Sequence, residues 1–153
     1  MKACIEQLFH MSRDSFNVWS DSGEALYTAK REGVVGSRFR LFDASGREIA
    51  FIKQKIPSMR PAFILTIHDQ DIKVIEKHKL NGHGYSSIEE LGIETEGNMD
   101  GHVYTINRNG SRWAEVRPAD YGGTVYEIEY PEGSNTDELM AVFLALELAV
   151  SVR

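Results

Sequence analysis

Fourteen residues near the end of the chain, Leu139 to Val152, are apolar except for Glu147 and Ser151, and they restrict the fold more than any other feature. A bilayer span needs about 20 such residues, so the run reads as a buried core helix. Its start is well marked. Asn135 or Thr136 can cap it, Asp137 and Glu138 suit its positive end, and with Asn135 as cap Glu138 falls third, as in a capping box. The Leu, Ala and Met content favours a helix over about 136–152. At about 100° per residue, Leu139 to Leu146 already covers the whole circumference. A helix apolar on one stripe lies on a sheet; one apolar all round has to be enclosed.

The rest of the chain supplies the enclosure. Short segments at about 3–9, 16–20, 25–31, 37–43, 48–55, 62–69, 72–80, 85–88, 91–95, 102–107, 112–117 and 124–130 alternate apolar and polar residues or are rich in β-branched and aromatic types. Phe63, Leu65 and Ile67 form one such face, and Tyr126, Ile128 and Tyr130 another. Asp21-Ser22-Gly23, Ala44-Ser45-Gly46 and Asn109-Gly110 read as hairpin turns, with Asp69-Gln70-Asp71 as a fourth. Pro57 and Pro61 bracket a connection that cannot belong to a central ladder. Fourteen helical residues span about 21 Å, and strands of six or seven residues span about 20–23 Å, so helix and wall match in length. The expected architecture is mainly β: a closed antiparallel barrel of about twelve strands enclosing the C-terminal hydrophobic helix. A single domain is expected over residues 1–153, because no Pro/Ser-rich linker divides the chain.

Charge limits the function. The net charge of −6 and a pI near 5.4 argue against nucleic-acid binding. Cys4 is the sole cysteine, which forbids an intrachain disulfide and fits a cytoplasmic location. The first residues read as no secretory leader, since Glu6 falls where its apolar core would be. The charge is unevenly spread. Residues 1–60 hold ten Lys/Arg against seven Asp/Glu, and residues 61–153 hold seven against sixteen. Arg38 and Arg40 share one face of a strand, and Lys53 and Lys55 share a face of the next. With Phe39, Leu41 and Ile52 pointing inward, all four cations face outward on one hairpin. Such a cluster can hold a phosphate or an anionic lipid headgroup.

Other candidates carry less. Glu147 sits inside an apolar helix and needs a cationic or hydrogen-bonding partner, a gap in the wall, or a proton. His10, His68, His78, His83 and His102 show no metal-ligand spacing, although Asp100 and His102 share a Gly-bounded turn. Gly82-His83-Gly84-Tyr85 opens no helix and is followed by no Gly-Lys-Ser/Thr. Ser86 and Ser87 lack a nucleophile elbow, and the pairs Glu89/Glu90 and Glu94/Glu96 read as solvated faces. Trp19, Tyr104 and Trp113 read as barrel core or rim. No catalytic residue, metal or cofactor is expected.

The order and spacing of several short stretches resemble the LURP-one-related family of the tubby C-terminal-like superfamily, in particular its small bacterial members. These stretches are Phe16-Asn17-Val18, Asp21-Ser22-Gly23, Leu26-Tyr27-Thr28-Ala29-Lys30, Leu41 to Ile49, Ile52-Lys53-Gln54-Lys55 with Pro61, Glu96-Gly97, His102 to Ile106, Asn109-Gly110 and the apolar C-terminal helix. The resemblance implies a twelve-stranded closed barrel around a central helix. Tubby-like relatives bind phosphoinositide headgroups through basic residues on the barrel wall, and scramblase-like relatives act at membranes. The LURP-one-related branch implies no established biochemical activity. The expected function is a non-enzymatic barrel module binding an anionic lipid headgroup, a phosphate-bearing ligand or a protein partner at Arg38, Arg40, Lys53 and Lys55, with no nucleic acid and no transmembrane span. The alternatives are an enzyme with a polar pocket at the barrel mouth, a scramblase-like membrane-associated protein, or an oligomer formed through an exposed sheet edge.

Overall fold

The computed structural model describes residues 1–8, 15–32, 38–55, 62–78, 84–119 and 125–151. Its twelve strands are β1 (Lys2–Leu8), β2 (Ser15–Ser20), β3 (Ala25–Glu32), β4 (Arg38–Asp43), β5 (Glu48–Lys55), β6 (Ala62–Ile67), β7 (Gln70–His78), β8 (Gly84–Ile88), β9 (Ile93–Asn98), β10 (Val103–Arg108), β11 (Ser111–Pro118) and β12 (Val125–Glu129), followed by α1 (Thr136–Ser151). Each strand pairs antiparallel with its sequence neighbours, and β1 closes the barrel on β12. Closure gives every described strand a paired neighbour on both sides.

Period-two patterning decides which side chains line the interior. Phe39, Leu41, Ile52, Phe63, Leu65, Tyr126 and Ile128 are buried, as are all residues from Leu139 to Val150. The helix is therefore enclosed on every side, and it is too short to cross a membrane. Its start is tied at several points. Asn135 Oδ1 accepts the Glu138 N–H at 3.2 Å and the Asn135 carbonyl accepts the Leu139 N–H at 3.0 Å. The expected capping box is only half made, because the Glu138 carboxylate pairs with Arg108 at 2.6 Å instead of reaching back. Tyr27 donates its hydroxyl to Asp137 at 2.5 Å.

Two local expectations need correcting. The β6–β7 turn consists of His68 and Asp69, both in the left-handed region at φ 52° and 58°, and Gln70 already pairs with Ile67. Asp and His tolerate that conformation better than most residues, so the turn closes one residue earlier than its sequence suggests. Residues 91–92 are not strand: Glu89–Leu91 forms a 3-10 turn whose end, Gly92, lies at φ 66° and donates its N–H to the Glu89 carbonyl at 3.0 Å. Its positive φ favours glycine, and a side chain there would press on the Asn109 carboxamide. Strand β9 consequently starts at Ile93. The Pro57–Pro61 connection, His10, His83 and Gly82 lie outside the described residues.

Candidate functional site

The basic hairpin forms because β4 and β5 alternate cleanly. Phe39, Leu41 and Ile52 are buried, which leaves Arg38, Arg40 and Lys53 on the outer wall. Lys55 follows Lys53 two residues later on β5; its side chain lies outside the described residues. Register places Arg38 directly opposite Lys53 on one side and opposite Glu32 on the other. Glu32 does not pair with Arg38, however. Its carboxylate accepts Arg40 Nε at 2.8 Å, while Arg40 Nη1 reaches Glu48 at 2.5 Å and the guanidinium lies 4.5 Å from the Phe51 ring centre. These two carboxylates raise the Arg40 pKa further. Arg40 is thus neutralised, whereas among the described residues no carboxylate pairs with Arg38 or Lys53.

Two further cations join this wall that the sequence could not place. Lys30 stands opposite Arg40 on β3, and Lys73 on β7 lies two strands beyond Lys53, with Ile64 between them. Both are visibly outward in their own strands, but which strands lie side by side is a property of the closed sheet. The far wall has the opposite character. Glu94, Glu96, Glu115, Glu127 and Glu129 line the outside of β9, β11 and β12, and Arg117 bridges the last two at 3.2 and 3.1 Å. Because sequence neighbours are spatial neighbours throughout, the charge difference between the two parts of the chain becomes a difference between two walls.

Inside, Glu147 has found partners. It is 5% exposed, and Tyr104 donates its hydroxyl to Oε1 at 2.6 Å. His102 Nδ1 lies 3.3 Å from both carboxylate oxygens, and its ring rests on Tyr126 at 4.1 Å between centres. Burial works against charge on His102, but the Glu147 hydrogen bond and charge, together with Asp100, outweigh it and raise the imidazole pKa. Burial and Glu147 together hold the Tyr104 phenol well above its ordinary pKa. The neighbouring seam is the thinnest in the barrel: β8 and β9 share only the pairs Ser87–Glu94 and Ile88–Ile93, and Thr95 Oγ1 bridges to the Ser86 carbonyl at 2.9 Å. Ser86 donates to the Leu146 carbonyl at 3.0 Å. The lone Glu147 in an apolar helix signalled that a partner was needed; nothing in the sequence said it would be His102.

At the other end of the helix a cleft of about 350 Å³ is lined by Arg47, Phe51, Thr66, His68, Asp69 and Asp137. Its polar groups mostly serve the fold. Asp137 holds Tyr27 and pairs with Arg47 at 3.3 Å, and Thr66 donates to Asp71 at 2.6 Å. Burial and Asp137 raise the Tyr27 phenol far above its ordinary value, so it remains a donor. Glu89, Glu90, Glu94 and Glu96 are exposed, and Trp19 and Trp113 are half-buried, Trp113 packing against the core to which Tyr104 belongs. Among the described residues no three His, Cys, Asp or Glu side chains come together to hold a metal.

A family model described as LURP-one-related matches residues 1–147. Among solved structures, an X-ray structure of an Arabidopsis thaliana protein superposes with a TM-score of 0.60 at 11% identity, over 94% of this chain and 89% of that one. At that identity the likeness is one of fold. No curated protein matches the chain.

Proposed function

The chain belongs to the LURP-one-related family, and on that footing we propose that it is a non-enzymatic barrel module that holds a phosphate-bearing anion against the outer wall of β4 and β5. The observation that carries this reading is the Arg38–Lys53 pair. Like charges directly opposite on neighbouring strands repel, and Glu32, the carboxylate set opposite Arg38 among the described residues, is committed to Arg40. An incoming phosphate would relieve the repulsion, with Arg38 bidentate and Lys53 as a point charge. Lys55, Lys30 and Lys73 would extend the field along the wall, and Arg40, already neutralised, would orient its neighbours more than bind. Such a module would work in the cytoplasm, on an anionic membrane face or on a soluble phosphate compound.

Two arms separate those sources: co-sedimentation with phosphatidylcholine vesicles with and without phosphatidylinositol phosphates, and calorimetric titration with inositol hexakisphosphate. Binding should weaken with salt. Removing Arg38 and Lys53 together as glutamines should cost roughly tenfold or more in affinity, since hydrogen bonds to charged groups contribute about 1.5–3 kcal/mol each. Arg40→Gln should cost least. Binding that survives Arg38→Gln, Arg40→Gln, Lys53→Gln and Lys55→Gln combined would remove the proposed site.

A further inference from the structure

The Glu147 cluster has no part in the outer-wall reading and stands independently of it. His102 lies in the left-handed region at φ 57°, where few non-glycine residues sit, and its N–H closes a turn on the Met99 carbonyl at 3.1 Å. The turn is approached through Gly97 at φ 119°, where a side chain would meet the Val103 carbonyl at 2.7 Å and Tyr104 Cα at 2.9 Å. The corner places the imidazole between the Tyr126 ring and the Glu147 carboxylate.

From this arrangement we propose that His102 and Glu147, steadied by Tyr104, form a proton-responsive tie that fastens the β9–β10 corner to the enclosed helix when the imidazole is charged and loosens when it is neutral. Each component has a distinct role. Glu147 is buried, so an uncompensated carboxylate there would be expensive, and two donors meet it. The Tyr104 hydroxyl remains a donor at any ordinary pH. His102 is a side chain whose charge changes near neutrality, and with 27% of its side chain exposed it can exchange a proton with water.

The surrounding groups leave the tie to this pair. The corner itself adds Asp100, which favours the charged imidazole, and β12 adds Tyr126, whose phenol is raised by burial and by Glu147. Strand β8 brings the non-titrating Ser86 and Ser87, and beyond it β7 carries the half-buried Glu76 opposite Ser86. Ala50, Ile52, Phe63, Leu65 and Ile67 on the inner face of β5 and β6 do not titrate. The sign follows from the direction of the His102 shift. A group whose pKa is raised by folding stabilises the fold fully below its unfolded value, about 6.5, and loses that contribution as pH climbs through the higher folded value. The tie is therefore made in mild acid and released toward alkaline pH.

The test is a pH titration of the histidine imidazole signals by NMR on the full chain, with His102 assigned by its loss in His102→Asn. The His102 signal should titrate above the ordinary value, and Glu147→Gln should lower its midpoint by about one unit, a tenfold change in proton affinity. Should Glu147→Gln fail to fold, the difference in melting temperature between the wild type and His102→Asn gives the same answer. That difference should be largest below about pH 6.5 and shrink steadily above it. An imidazole titrating at or below its ordinary value, or a melting difference that ignores pH, would reduce the contact to a plain structural hydrogen bond and overturn the proposal.

Discussion

On the inner side of the barrel a single carboxylate, Glu147, is met by two donors, whereas on the outer side two cations, Arg38 and Lys53, face each other with no carboxylate pairing with either among the described residues. The contrast shows what burial demands. An ionised group removed from water loses several kcal/mol of solvation unless the protein replaces it, so the interior position imposed its own partners, drawn from a turn and the strand that follows it. At the surface, water meets that demand, and a like-charge pair survives at small cost. An interior constellation is therefore a statement about folding first, and an unpaired exterior one is open to an outside ligand.

The largest test of this contrast places a new charge where none is provided for. Leu144 is 3% exposed, on a turn of the helix next to Glu147 but without its donors. Leu144→Asp should abolish the cooperative thermal transition, because a buried, unpaired charge belongs with the few substitutions that exceed about 4–5 kcal/mol. A cooperative melt close to the wild type would mean that the helix is not enclosed.

The next test weakens an existing provision without adding charge. Tyr104→Phe keeps the ring packing and removes the donor closest to Glu147. The expected loss is about 1.5–3 kcal/mol, the range for a hydrogen bond to a charged group. It would appear as a melting temperature lower by several degrees in a chain of this length. A variant as stable as the wild type would show that His102 alone satisfies the carboxylate.

The two regions were unequally legible in the sequence. The enclosed helix could be read because its signal is local: twelve consecutive buried residues from Leu139 to Val150 need no knowledge of what surrounds them. All twelve strands were legible for the same reason, and their ends slipped where a turn used residues other than glycine, as at His68-Asp69, where a 3-10 turn intervened, as at Glu89–Leu91, and where β9 ran on through Gly97 to Asn98, three residues past its expected end. Pairings between distant residues were not legible. Tyr104 and His102 lie more than forty residues from Glu147, and Lys30 and Lys73 reach the basic wall only through strand register. The outward direction of Arg38, Arg40 and Lys53 could be read from alternation, but not that Glu32 and Glu48 would claim Arg40 and leave the others unpaired.

The smallest test probes the outer wall, where stability and binding should move in opposite directions. Lys53 faces Arg38 across the sheet, and opposed like charges cost a fraction of a kcal/mol. Lys53→Gln should therefore raise the melting temperature by about 1 °C at low salt. The gain should fade as salt screens the pair, whereas the same substitution weakens binding of the phosphate-bearing probe. A melting temperature that falls on Lys53→Gln would mean that Lys53 is part of the fold's own pairing. The wall would then resemble the interior, with its charges satisfied from within and no preference left for a ligand.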